Sequence, residues 1–235
     1  MLLSSRQRFF LQVGLLLPLA LIALAVAVPR TGLDAGLSAA FYDAHAQRFL
    51  VSGSGWLDLL GHRLGKSLVL ALWLLIGAAA VASHWVPRLA AHRRLLWTLV
   101  VAMGAGPILV TLLKDINTHA CPWSLKAFGG SADYSAEWFV SRLNAGRCFP
   151  SGHAAGGFSL VALAFAGEVM NQPRLRRLGL WLGLLTGAAF SLLRIAQGAH
   201  FLSHNLWSAA IDLATAALAF ALLAPDRAAQ AEAAP

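Results

Sequence analysis

The chain has 235 residues, of which 58% are apolar and 12% charged, with a net charge of +8. A soluble domain carries about a quarter charged residues, so this composition excludes a disordered chain and an ordinary cytosolic enzyme. The basic residues occur as short punctuation between apolar runs and form no single solvated face, which excludes a nucleic-acid-binding surface as well. The pattern predicts one integral membrane domain spanning residues 1–235.

Six stretches approach the roughly 20 residues that a helix needs to cross a bilayer. The first, Phe9–Val28, follows Arg6 and Arg8. Its apolar run exceeds the about 7–15 residues of a cleaved leader's core, so a retained helix is expected in spite of the cleavage-like Ala25-Val26-Ala27. Pro29–Lys66 follows and reads as one or two short amphipathic helices, with Leu33, Leu37 and Phe41, then Phe49, Trp56, Leu59 and Leu60, as apolar faces. It serves either as an interfacial helix or as a packing cap. The next spans are Ser67–Val86, Leu95–Leu113, Ala154–Met170, Leu178–Ile195 and Leu206–Ala224. The fourth and fifth are rich in Gly, Ala or Ser, a composition that suits helices packed closely against others. The expected fold is all-α, a bundle of six transmembrane helices with outward-facing active-site loops.

Arg88, Arg93 and Arg94 lie between spans two and three, and Arg174, Arg176 and Arg177 between spans four and five, with no acid in either connector. Both connectors are expected to be cytoplasmic, and with them both termini. Pro29–Lys66, Lys114–His153 and Ala196–Asn205 then face outward, into the periplasm if the membrane is a bacterial inner membrane.

The two later outer segments, with the adjoining end of the fifth span, hold Lys114, Asp115, His119, Arg142, Arg147, His153, Arg194, His200 and His204. A single cation at a membrane boundary can simply snorkel to water. Three segments that supply Lys, Arg and His to one face instead fit phosphate chemistry: Arg and Lys hold the non-bridging oxygens, and His serves as nucleophile or general acid. Pro150-Ser151-Gly152-His153 stands directly before the fourth span, so Ser151 can act as an N-cap beside an anion-binding helix start. The same tetrapeptide also reads as an ordinary turn.

These residues form three blocks: Lys114 to Pro122 (KDINTHACP), Pro150 to His153 (PSGH) and Leu193 to His204 (LRIAQGAHFLSH). In order and spacing they resemble the type-2 phosphatidic acid phosphatase superfamily, whose blocks are K-x6-R-P, P-S-G-H and S-R-x5-H-x3-D. The resemblance covers about Leu95 to Ala224. It implies that His200 attacks phosphorus and becomes a phosphohistidine, and that His153 protonates the leaving oxygen and then activates water. It further implies that Lys114, Arg194, and the Ser151 and Gly152 amides hold the phosphoryl oxygens, with no metal or other cofactor. Three positions depart from the family. Cys121 replaces the Arg of the first block, for which Arg147, or alternatively Arg142, is the substitute. Leu193 replaces the Ser. His204 replaces the Asp that orients the nucleophile, a task left to His204 itself or to Asn205; Asp212 is too far along the helix, about 12 Å beyond His204.

A rival reading pairs His200 with His204 as metal ligands, joined by His119 and His153. Cys121 and Cys148, the only cysteines, both fall in one outer loop, where an oxidising compartment favours a disulfide over two packed thiols. The function expected is removal of a phosphate or diphosphate group from a lipid: phosphatidic acid, phosphatidylglycerol phosphate, an isoprenoid diphosphate or lipid A. The alternatives are a lipid phosphotransferase on the same site and a non-catalytic lipid-binding protein. The partners expected are the lipid phosphate and the surrounding membrane lipids. Trp123, Trp138 and Trp207 are expected in an aromatic belt or at the lipid's way in.

Overall fold

The computed structural model describes residues 3–52, 55–57, 59, 63–117, 119–134 and 147–224. In chain order its main helices are α1 (Ser5–Thr31), α2 (Leu33–Ala40), α3 (Gly65–Ala82) and α4 (Arg93–Asp115). They continue with α5 (Gly152–Phe158), α6 (Ala162–Val169), α7 (Pro173–Ala196) and α8 (Leu202–Leu223). Helix α8 packs on α4, α1 and α5, α7 lies along α5 and α6, and α3 flanks α4. The helix ends follow local chemistry. Ser4 and Gln7 form a reciprocal capping box at the start of α1, and Pro173 opens α7, where its missing N–H costs nothing.

Five of the described helices, α1, α3, α4, α7 and α8, are long and apolar enough to cross a membrane. Leu68, Leu75, Leu185 and Leu222 stand exposed on the outer faces of α3, α7 and α8, where hydrocarbon and not water is the matching solvent. The chain is an integral membrane protein. The count is five where the sequence led us to expect six. The stretch expected as the fourth span is helical, but it is divided into α5 and α6 by a 3-10 turn at Ser159–Val161, and it is buried along most of its length.

That burial rests on glycine. Gly179, Gly183 and Gly187 recur every fourth residue on α7 and bring its backbone against α5 and α6. A Cβ on Gly183 would fall 2.5 Å from the Val161 amide nitrogen, and one on Gly187 would enter the Phe158 ring. Small residues at this spacing let helices approach where lipid gives no hydrophobic drive.

The bundle has two distinct ends. At one, the Arg93 guanidinium donates to Ser83 O at 2.7 Å, Arg94 Nε donates to Leu223 O at 2.7 Å, and Arg176 pairs with Glu168 and covers the Phe9 ring. The Arg-bearing connectors, the start of α1 and the end of α8 therefore share this end. Lys114, Gly152, Arg194 and His200 gather at the other.

Over that second end lies a small cap. Strands β1 (Tyr42–Asp43) and β2 (Arg48–Phe49) pair antiparallel, with Tyr42 opposite Phe49, a hairpin of two-residue strands in a chain that is otherwise mostly helical as expected. Phe49 joins Leu125, Phe128 and Phe201 in an apolar cluster. Of the two roles expected for the first outer segment, the docked arrangement of α2 and this hairpin matches the packing cap. The segment's later part, expected as a second short helix and including Leu60, falls largely outside the described residues.

Candidate active site

The site is built where three helix ends meet. Lys114 lies in the last turn of α4, Gly152 and His153 open α5, and Arg194 lies in the last turn of α7. Helix α7 ends in a Schellman motif: Gly198 N–H donates to Ile195 O at 2.9 Å and Ala199 N–H to Arg194 O at 2.8 Å. Gly198 takes a left-handed φ of 70°, and any Cβ there would run into the Phe49 ring. This turn folds the chain back so that His200 returns beside Arg194, with the His200 N–H 3.3 Å from Arg194 O.

Lys114, Gly152, His153, Arg194 and His200 line one cavity of about 470 Å³. The Lys114 ammonium stands over Gly152, 3.7 Å from where a Cβ would be, an ordinary van der Waals distance. His153 stacks on Phe190 with ring centres 4.4 Å apart. Arg194 is oriented by Gln197, whose Oε1 accepts from Nη1 at 2.7 Å, and it covers the Trp123 ring at 5.8 Å. Among the described lining residues there is no carboxylate. Away from this cationic end the wall is apolar, formed by Val69, Leu70 and Trp73 of α3 and Met103 and Ile108 of α4. One further cation lines it, Lys66 at the start of α3, which sequence reasoning did not single out.

His200 is buried, and its Nδ1 lies 3.7 Å from Cys148 Sγ. Burial above all, then the charges of Lys114, His204 and Arg194, push its pKa well below the ordinary histidine value, with a hydrogen bond to the Cys148 backbone opposing. At neutral pH the ring is therefore uncharged and has a lone pair to offer.

His204, 2% exposed, sits behind His200 with ring centres 5.9 Å apart and does not line the cavity. It is walled by His119, Phe149 and Phe201. The Asn205 amide turns instead to its own helix and donates to Phe201 O at 2.8 Å. Of these two candidates, His204 is the one beside the His200 ring.

Ser151 occupies the N-cap position, but its hydroxyl makes no capping bond, and its N–H donates to His204 O at 3.3 Å. The Ser151 amide thus turns toward α8, and of the expected pair of amide donors it is Gly152 that lines the cavity. Arg147 forms an ion pair with Asp115 on the exposed side and is not part of the wall. Arg142 and Trp138 lie outside the described residues. Trp207 packs edge-on against Phe149, within the protein, and Trp123 lies beneath Arg194 at the site's edge.

Cys121 and Cys148 form a disulfide, with Cα atoms 5.2 Å apart. Asn117 reinforces the same junction by donating to both Leu113 O and Phe149 O, at 2.7 and 2.6 Å. Cys148, His200 and His204 are close enough to share an ion. The donor set does not fit one: the sulfur is oxidised and uncharged, and the His200 ring faces Lys114 and Arg194, which repel a cation.

Neither the curated proteins nor the solved structures contain a significant match to this chain. The family model of the PAP2 superfamily matches residues 95–227, a stretch that covers nearly all of α4 and runs through α8; it contains Lys114, Gly152, His153, Arg194 and His200, whereas Lys66 and the α3 part of the cavity wall lie before it. The chain belongs to the PAP2 superfamily.

Proposed function

We propose that this protein is a membrane phosphatase that removes a phosphate or diphosphate group from a lipid. Family membership supports phosphatase action on a phosphate ester. The observation that carries the lipid reading is the single cavity that joins a Lys-Arg-His end to an apolar wall between α3 and α4. A soluble phosphate ester has no use for the second half. Phosphatidic acid, phosphatidylglycerol phosphate, isoprenoid diphosphates and lipid A all combine the two parts that the cavity would accept.

In this reading Lys114, Arg194 and the Gly152 amide hold the non-bridging oxygens, whose charge is spread in the transition state. The His200 ring nitrogen directed away from Cys148 attacks phosphorus as the bond to the leaving oxygen breaks, and His153 donates its proton to that oxygen. The phosphoryl group then rests on His200. Water, giving a proton back to His153, attacks phosphorus; the N–P bond breaks, and inorganic phosphate and neutral His200 are restored. His204 stands where it can orient the His200 ring. The site lies at the end opposite the Arg-bearing connectors, which supports an outward, periplasmic orientation by the positive-inside rule, and the disulfide agrees with an oxidising compartment.

The test is phosphate release from each of these lipids in mixed micelles. Wild type is expected to release phosphate from at least one, with His200→Ala and His153→Ala reduced by at least about a hundredfold. Equal rates in wild type and His200→Ala would discard the mechanism, and label passing to an alcohol in place of water would make the protein a transferase.

A further inference from the structure

We propose that Lys66 is the third cation of the phosphate site, filling the role that the family assigns to the Arg of its first block; this rests on the phosphatase reading above. The position of that Arg is held by Cys121, whose sulfur is bonded to Cys148 and contributes no charge. Arg147, the nearest substitute in sequence, is paired with Asp115 and lies off the cavity wall. Lys66 lies on it, together with Lys114, Arg194 and His200. Lys66 makes no ion pair among the described residues, and no described acid lines the cavity, so Lys66, Lys114 and Arg194 bring their positive charges to one space. Such a cluster is stabilised by an anion entering it.

Lys66 comes from α3, outside the residues that the family model matches, and its neighbours on that helix give it a second meaning. Val69, Leu70 and Trp73 follow it at i+3, i+4 and i+7 and line the same cavity. One helix face therefore presents a cation at its end and an apolar strip below it. A lipid phosphate laid along this face places its phosphate oxygens at Lys66 and its chain against Trp73. Lys66 thus contributes to holding the phosphate and sets its register relative to the chain.

The experiment uses the full chain in nanodiscs and inorganic phosphate as the probe, measured by titration calorimetry, so that binding is read without turnover. Lys66→Gln is expected to weaken phosphate binding about tenfold, while Lys66→Arg keeps it within about threefold. Lys126→Gln, which removes an exposed cation paired with Asp133, should bind as wild type does. Lys66 is exposed, and matching thermal midpoints for the variants exclude a folding defect. With phosphatidic acid vesicles, Lys66→Gln should lower kcat/KM mainly through KM. Unchanged phosphate affinity in Lys66→Gln overturns the proposal, as does a loss found in Arg147→Gln alone. Lys66-dependent phosphate binding without release from any lipid phosphate would keep this assignment and remove the catalytic reading. Lipid hydrolysis indifferent to Lys66 would do the reverse.

Discussion

Asp34 and Ser203 are 169 residues apart in the chain and joined by two hydrogen bonds: the Ser203 N–H donates to Oδ1 at 3.0 Å and its hydroxyl to Oδ2 at 2.5 Å. A carboxylate from α2 thus caps the start of α8, four residues or fewer from His200 and His204, and favours the positive end of that helix. Asp34 is 2% exposed, so removing it leaves two buried donors unsatisfied. Asp34→Ala is expected to cost about 1–3 kcal/mol, read as a lower thermal midpoint in detergent, and Asp34→Asn, which keeps an acceptor, to cost less.

The same pair makes stability depend on pH. Burial raises the Asp34 pKa above the ordinary 3.8, and the hydrogen bonds from Ser203 only partly oppose it. The native state then holds this proton more tightly than the unfolded chain does. Its contribution is complete below pH 3.8 and is lost as pH rises through the folded value. Asp34→Asn has no such proton, so its midpoint relative to wild type should climb as pH rises through that window. A constant difference across pH would show that the carboxyl does not titrate differently on folding.

The glycine face of α7 permits a steric test with an internal control. A Cβ at Gly183 meets the Val161 backbone at 2.5 Å, whereas one at Gly77 on α3 meets nothing within 4 Å. Gly183→Ala should force α7 away from α5 and α6 and cost about 1–3 kcal/mol. Gly77→Ala should be neutral or stabilising by up to about 1 kcal/mol, since it replaces a flexible residue within a helix. Thermal unfolding of the two variants in one detergent makes the comparison.

Local pattern was legible in the sequence. Apolar runs marked the five spans found, though six were expected, and Lys114, Gly152, His153, Arg194 and His200, picked out by their spacing, line one cavity in the structure. What depends on contacts between distant segments was not. Nothing near Asp34 signals that it caps α8, and nothing near Lys66 signals that α3 turns that residue toward Lys114. The Ser151 amide illustrates the converse. A helix start makes its N–H groups available in principle, but here the neighbouring α8 takes this one through His204 O. The split between α5 and α6 is likewise a matter of packing, because hydropathy reads a run of small residues and not the 3-10 turn within it.

The Cys121–Cys148 bond should matter to both stability and turnover. It closes a separation of 27 residues, for which chain entropy gives roughly 3–4 kcal/mol. It also fixes Cys148, whose sulfur and backbone both adjoin His200. Reduction, or the double change Cys121→Ala with Cys148→Ala, should lower the thermal midpoint and also the rate at temperatures where the protein is still folded. A lower midpoint with an unchanged rate would limit the bridge to holding the loop.

The His200–His204 pair offers a test by restoring what the family uses. His200 must be neutral to attack, and its pKa is held well below 6.5, so activity should persist as pH falls past 6.5 and be lost only in the lower range. For the wild type, the acid limb of kcat/KM against pH therefore lies below the ordinary histidine value. His204→Asp places a carboxylate where a ring now stands 5.9 Å, centre to centre, from His200. An anion beside a titrating imidazole favours its protonated form, typically by about 1–3 pKa units. The acid limb should then move upward by at least about one unit, while the tighter hold on the His200 N–H raises the maximal rate, reached where His200 is neutral and His153 still protonated. His204→Ala removes the neighbour without adding charge, and it should lower the maximal rate with little upward movement of the limb. An acid limb that stays in place in His204→Asp would show that position 204 does not act on His200, and would leave the Cys148 backbone as the partner that orients it.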